Sequence, residues 1–101
     1  MTWKPGDKLV YVIEAVGLNV VKIGVSNDIA KRLSMLQVGC PASLRLVLTI
    51  QGDETLEQEL HARFAKYRVR GEWFLFADEI LHLHDNYPTA TVHVAQRWGL
   101  V

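Results

Sequence analysis

The sequence predicts an α+β fold: a small, mainly antiparallel sheet of three strands covered by helices. Three observations predict it. Two runs rich in β-branched and aromatic residues, at 8–15 and 20–25, are separated only by Gly17-Leu18-Asn19, which reads as a hairpin. A third apolar run, LRLVLTI, occupies residues 44–50. Between and after these runs lie two stretches whose apolar residues repeat at helical spacing, so the order is β, β, α, β, α.

Each element has its local cause. In the first strand Tyr11 alternates onto the face of Leu9 and Ile13. In the second, Lys22 shares a face with Val20 and Gly24. A hairpin centred between Gly17 and Leu18 sets Tyr11 opposite Gly24 and Ile13 opposite Lys22. Helix one spans roughly Asp28 to Gln37: Ser26 and Asn27 are capping residues, Ile29, Leu33 and Leu36 form its apolar face, and Gly39 and Pro41 stop it. After the third strand, Asp53 is placed to cap helix two, where Leu56, Leu60 and Phe64 form a stripe at i, i+4, i+8. Residues 72–76 read as extended and buried, 78–85 as a short third helix, and TVHVAQRW at 91–98 as an edge strand or a surface for a partner.

The 101 residues suit one domain, with half the residues hydrophobic and 22% charged, a balance typical of a folded globule. The longest apolar runs fall well short of a membrane span, and the first residues lack a signal peptide's hydrophobic stretch, so a cytoplasmic protein is expected. The lone Cys40 cannot form an internal disulfide, in keeping with a reducing compartment. Net charge is zero, which disfavours a strongly basic nucleic-acid binder, but its distribution is uneven. Residues 22–70 carry eight bases against five acids, and residues 71–101 carry one base against four acids. Only the middle of the chain is suited to a phosphate backbone.

Four polar residues fit core packing poorly. Tyr11 interrupts an aliphatic strand and reads either as a core tyrosine or as a reacting phenol. Lys22 interrupts VVKIGV, where lysine is unusual unless exposed or functional; as a cation near the phenol it favours the ionised form. Gly24 leaves room beside the phenol for a substrate backbone. Arg32 reads either as a surface arginine paired with Asp28 or as a guanidinium gripping a phosphate oxygen. Glu57 and His61 are four apart on helix two and share a face. That face is either simply solvated or a sparse site for magnesium, which keeps several waters and takes one or two carboxylates. Arg63, Lys66, Arg68 and Arg70 form a basic run with no intervening acid, suited to nucleic acid. His82 and His84, two apart, match neither a helical zinc pair nor a finger.

Tyr11-Val12-Ile13, then Val21-Lys22-Ile23-Gly24, the run from Ser26 to Leu33, Leu56-Glu57-x-x-Leu60-His61-x-x-Phe64 and Gly71-Glu72-Trp73-Phe74 together resemble the GIY-YIG endonuclease superfamily. The similarity is greatest to its phage and bacterial branch, in which the second motif reads K-I-G. It covers roughly residues 8–76, leaving 77–101 as a C-terminal extension. The resemblance implies an α/β/α sandwich and hydrolysis of a phosphodiester bond with one divalent ion, Mg2+ or Mn2+, ligated by Glu57. It assigns the attacking water to Tyr11, charge stabilisation to Lys22 and the scissile phosphate to Arg32; His61 either orders the nucleophile or simply caps the helix face. Glu72 is either an acid behind the site or a bridge to Arg68 or Arg70. The sequence departs from the family name at Leu9, where glycine stands, and at Lys22, where a tyrosine stands. The substrate implied is nucleic acid, DNA before RNA, with a homodimer or protein partner supplying specificity. The alternative is an inactive nucleic-acid or protein-binding module on the same fold, which the zero net charge favours.

Overall fold

The computed structural model describes residues 7–93. The chain runs β1 (Leu9–Ala15), β2 (Val20–Ser26), α1 (Ile29–Val38), β3 (Leu44–Gln51), α2 (Glu54–Arg63), a 3-10 turn at Ala65–Tyr67, β4 (Arg68–Arg70), β5 (Trp73–Leu75), α3 (Asp78–Leu81), a second 3-10 turn at Leu83–Asn86, and β6 (Thr91–Val92). The fold is α+β, but the expected three-stranded sheet is corrected to six strands in the order β4-β5-β2-β1-β3-β6, with every neighbouring pair antiparallel. The three added strands have two or three residues each. Two of them fall in stretches already read as extended, at 72–76 and 91–98, but segments that short carry too little alternation to show their pairing into the sheet. Of the tail expected to alternate, Thr91 and Val92 do extend the sheet beside β3. The remainder from residue 94 lies outside the described residues.

The hairpin has the anticipated register, with Tyr11 opposite Gly24 and Ile13 opposite Lys22. Its turn closes through the Leu18 N–H donating to the Ala15 carbonyl, with Gly17 and Asn19 both at positive φ, the conformation that glycine and asparagine adopt most cheaply. β1 is buried along nearly its whole length because it lies between β2 and β3. Val10 and Val12 on one of its faces join Val21, Ile23, Leu60, Phe64 and Phe74 in the core. Tyr11 and Ile13 point to the other face and are equally buried.

Both longer helices are fixed by aspartate caps. The Asp28 carboxylate accepts from the Lys31 N–H at the start of α1, one residue later than the caps expected from sequence. Asp53 accepts from the Thr55 N–H at the start of α2, as expected. Each cap satisfies an otherwise orphaned amide, worth about 1 kcal/mol. Helix α2 sends Leu60 into the core, and the chain after it adds Phe64. That packing leaves Glu57 and His61, on the adjoining strip of the same helix, buried as well.

Candidate active site and metal cluster

Two polar groups form around β2. The first contains Tyr11 and Arg32. The Arg32 Nη1–H donates to the Tyr11 phenol oxygen across 3.3 Å. Asp28 is engaged as the cap of α1, so Arg32 is not the surface partner of Asp28; it turns inward to β1. The Tyr11 side chain is fully buried. A Cβ on Gly24 would overlap the phenol oxygen and approach its Cζ to 2.6 Å. The space that glycine leaves is therefore taken by the tyrosine ring itself, which corrects the expectation that it receives a substrate backbone. Arg32 is the cation that reaches the phenol, whereas Lys22 is held elsewhere.

The second group contains Glu57, His61 and Glu72. One carboxylate oxygen from each glutamate and one ring nitrogen of His61 lie within 4.8 Å of one another. The Ile23 main chain organises two of the three. Its carbonyl accepts from His61 Nε2 at 2.8 Å, and its N–H donates to the Glu72 carbonyl at 3.1 Å. The His61 ring also packs against Phe74 with centroids 5.1 Å apart. Glu57 is 7% exposed, and its side-chain partner is the Gln58 amide at 3.3 Å.

Lys22 is held by the second group. It stands on the Tyr11 face of the hairpin, yet its ammonium lies 3.1 Å from Glu72 Oε1 and 5.6 Å from the centre of the Trp73 ring. Pairing of Lys22 with Trp73 across β2 and β5 brings the preceding Glu72 within reach. Glu72 thus bridges to Lys22, and neither Arg68 nor Arg70 is its partner. Its place near the site was one of the two readings of the sequence, but its pairing with Lys22 was hidden because it depends on β5 pairing with β2, about fifty residues away.

The donor set fits a divalent ion. Two carboxylates and an imidazole are hard and borderline ligands suited to dications. Glu57 and Glu72 carry two negative charges against the single positive charge of Lys22, so the group has one surplus negative charge.

The basic run does not converge on one point. Arg63 donates to the Asn86 side chain and lies over Phe64. Lys66 is paired with Glu79 at 3.1 Å, which also accepts from the Tyr67 hydroxyl. These contacts lower the Glu79 carboxyl pKa, first through Tyr67 and then through Lys66, and raise that of Lys66. Arg68 lies over the Phe74 ring, and Arg70 is opposite Trp73 on the outermost strand, both exposed. His82 is committed to the Asp78 carbonyl. No helix among the described residues is long and apolar enough to cross a membrane.

The fold is an antiparallel α+β domain that carries a cluster of two glutamates and a histidine and, separately, a hydrogen-bonded tyrosine–arginine pair. The T5orf172 domain matches residues 8–98, and the chain belongs to that family, which is associated with nucleases. Comparison with curated proteins and with solved structures gives no match.

Proposed function

We propose that this protein is a metal-dependent endonuclease of the GIY-YIG type, hydrolysing phosphodiester bonds in DNA in the cytoplasm. The observation that carries the reading is the cluster of Glu57, His61 and Glu72, to which Lys22 is joined through its pair with Glu72. The family supports a nucleic-acid substrate.

In this reading the guanidinium of Arg32 holds a non-bridging oxygen of the scissile phosphate with paired N–H donors. The phenol of Tyr11 orients the attacking water and takes part in removing its proton, while Lys22 offsets the negative charge that builds on the phosphate. The water oxygen forms a bond to phosphorus as the bond to the leaving ester oxygen breaks, and that oxygen takes up a proton. Glu57 would hold a divalent ion, magnesium or manganese, which would supply Lewis-acid stabilisation of the developing charge. His61 is fixed by its Ile23 hydrogen bond and keeps the α2 side of the site in place. Arg63, Lys66, Arg68 and Arg70 guide the phosphate backbone, and a second copy or a protein partner supplies sequence specificity. Tyr11 is fully buried with Arg32 on its hydroxyl, so the reading requires the site to open on DNA binding before the phenol can meet water.

The test is incubation of the purified protein with supercoiled plasmid and with single-stranded DNA, in magnesium, manganese or chelator. Metal-dependent nicking that Glu57→Ala abolishes, with unchanged circular dichroism, is the expected result; nicking unaffected by that substitution removes Glu57 from the mechanism. The rival reading is a binding module without turnover, favoured by the enclosure of Tyr11 and by the neutralisation of Lys22 by Glu72. DNA retention in gel shift without cleavage in either metal is its signature.

A further inference from the structure

The proposed nuclease reading needs one carboxylate for its ion, yet the structure gathers more than that. We propose that Glu57, His61 and Glu72 together form a three-ligand site for a first-row transition dication, bound in preference to magnesium. The inference deepens the nuclease reading and rests on it for the role of the ion, but the binding it describes is measurable without any substrate.

The argument starts at His61. Its Nε2 lies 2.8 Å from the Ile23 carbonyl, an oxygen that can only accept. The proton of the neutral ring is therefore on Nε2, and the lone pair is on Nδ1. An imidazole that donates one N–H to a backbone carbonyl and offers its other nitrogen is the arrangement that orients histidine ligands in metal sites. The ring cannot easily turn away, because it is 7% exposed and packed against Phe74.

Glu57 lies one helical turn before His61 and approaches from the same strip of α2, also 7% exposed. Glu72 comes from the turn before β5, and its backbone is anchored to the Ile23 N–H. Two of the three candidate ligands are thus tied to one residue of β2, while the third shares a rigid helix with the histidine. One carboxylate oxygen of each glutamate and one ring nitrogen of His61 lie within 4.8 Å of one another. Donors about 2.0–2.2 Å from one ion are separated by roughly 3–4 Å, so the spread is small enough for side-chain adjustment to close the site. The Glu72 side chain, 41% exposed, has the freedom to make that adjustment.

Selectivity follows from the nitrogen. Magnesium takes oxygen ligands and gives up its waters reluctantly. Imidazole suits the first-row transition ions, whose affinity for such sites rises from manganese towards copper. Lys22 then has a second consequence. Its ammonium at 3.1 Å from Glu72 competes with the ion for that carboxylate, so metal uptake frees Lys22 to turn towards the phosphate.

The experiment titrates the full chain with Mn2+ alone, following the loss of the free-ion electron paramagnetic resonance signal, and repeats the titration with Mg2+ as competitor. Parent protein should bind Mn2+ with at least tenfold higher affinity than Mg2+. His61→Gln should bring the two affinities together, Glu72→Gln should weaken Mn2+ binding about tenfold, and Lys22→Met should strengthen it. If His61→Gln fails to fold, Glu72→Gln, in a half-exposed turn, carries the test alone. Mn2+ binding equal to parent in Glu72→Gln, or Mg2+ displacing Mn2+ at equal concentration, overturns the proposal. Failure of the nuclease reading looks different: transition-ion binding lost in these variants but no DNA cleavage with any metal.

Discussion

Gly24 faces Tyr11 across the β1–β2 pair, and the tyrosine ring lies where any side chain at position 24 would begin. The first expectation follows from that contact. Gly24→Ala forces the phenol away from Arg32, because a Cβ there would stand 2.6 Å from the phenol Cζ. Overpacking of this kind costs about 1–3 kcal/mol, so the thermal midpoint should fall by several degrees, and nicking should be lost even where the variant remains folded. A variant with parental stability and parental nicking would mean that the phenol position is immaterial.

Removing only the hydroxyl tests the same contact from the other side. Tyr11→Phe deletes the acceptor of the Arg32 hydrogen bond and should cost about 0.5–1.5 kcal/mol in denaturant unfolding. If the phenol handles the proton of the attacking water, cleavage should fall by roughly 100-fold or more. Lost stability with parental cleavage would mark Tyr11 as a core residue with a satisfied hydroxyl.

The exposed bases are not equivalent. Lys66 is answered by Glu79, whereas Arg68 and Arg70 are stacked on or set beside aromatic residues of β5 and have no carboxylate partner among the described residues. Neutralising Arg68 and Arg70 together should flatten the dependence of log K on log salt by up to about 2, measured by fluorescence anisotropy on duplex DNA. Lys66→Gln should change the slope less. Equal slopes in all three proteins would make the run a solvated face.

His93 gives the sheet a pH response. Burial lowers its pKa below the ordinary value of 6.5, so the fold favours the neutral ring. The stability this contributes is complete above about 6.5 and is lost as pH falls through that value towards the depressed folded pKa. His93 lies next to Thr49 Oγ1 at 3.2 Å, and its N–H donates to the Val47 carbonyl at 2.8 Å, just after β6. The protection factors at Thr91–His93, corrected for the intrinsic pH dependence of amide exchange, should therefore fall on acidification from about pH 7.5 to about 5.5, and His93→Gln should remove the change. Uniform protection across that range would separate the histidine from the edge strand.

Much of this arrangement is legible in the residues. The hairpin register follows from where Gly17 and Asn19 fall, and it correctly sets Tyr11 against Gly24 and Lys22 against Ile13. The i, i+4 spacing of Glu57 and His61 likewise puts both on one strip of α2. What stayed hidden depends on contacts distant in sequence. The partner of Lys22 follows from the pairing of β5 with β2, and β5 is too short to announce itself by alternation. Arg32 looked like the natural partner of Asp28 by helical spacing, but a free N–H at the start of α1 claims that carboxylate first. The sheet was read too small for the same reason: three residues of Arg68–Arg70, mostly charged, resemble a loop until β5 pairs with them.

The hold that Ile23 has on His61 and Glu72 is made entirely by its main chain. Its side chain belongs to the apolar core, so valine or leucine at this position would leave both hydrogen bonds in place. Systematic alanine replacement would register only lost packing at residue 23 and miss its service to the cluster. The position is free to drift among apolar residues over evolutionary time while its geometric task persists, and among the natural residues only proline would delete its N–H. A chemist could expose that task by replacing the amide that follows Ile23 with an ester, which weakens the carbonyl as an acceptor while keeping every side chain as it is.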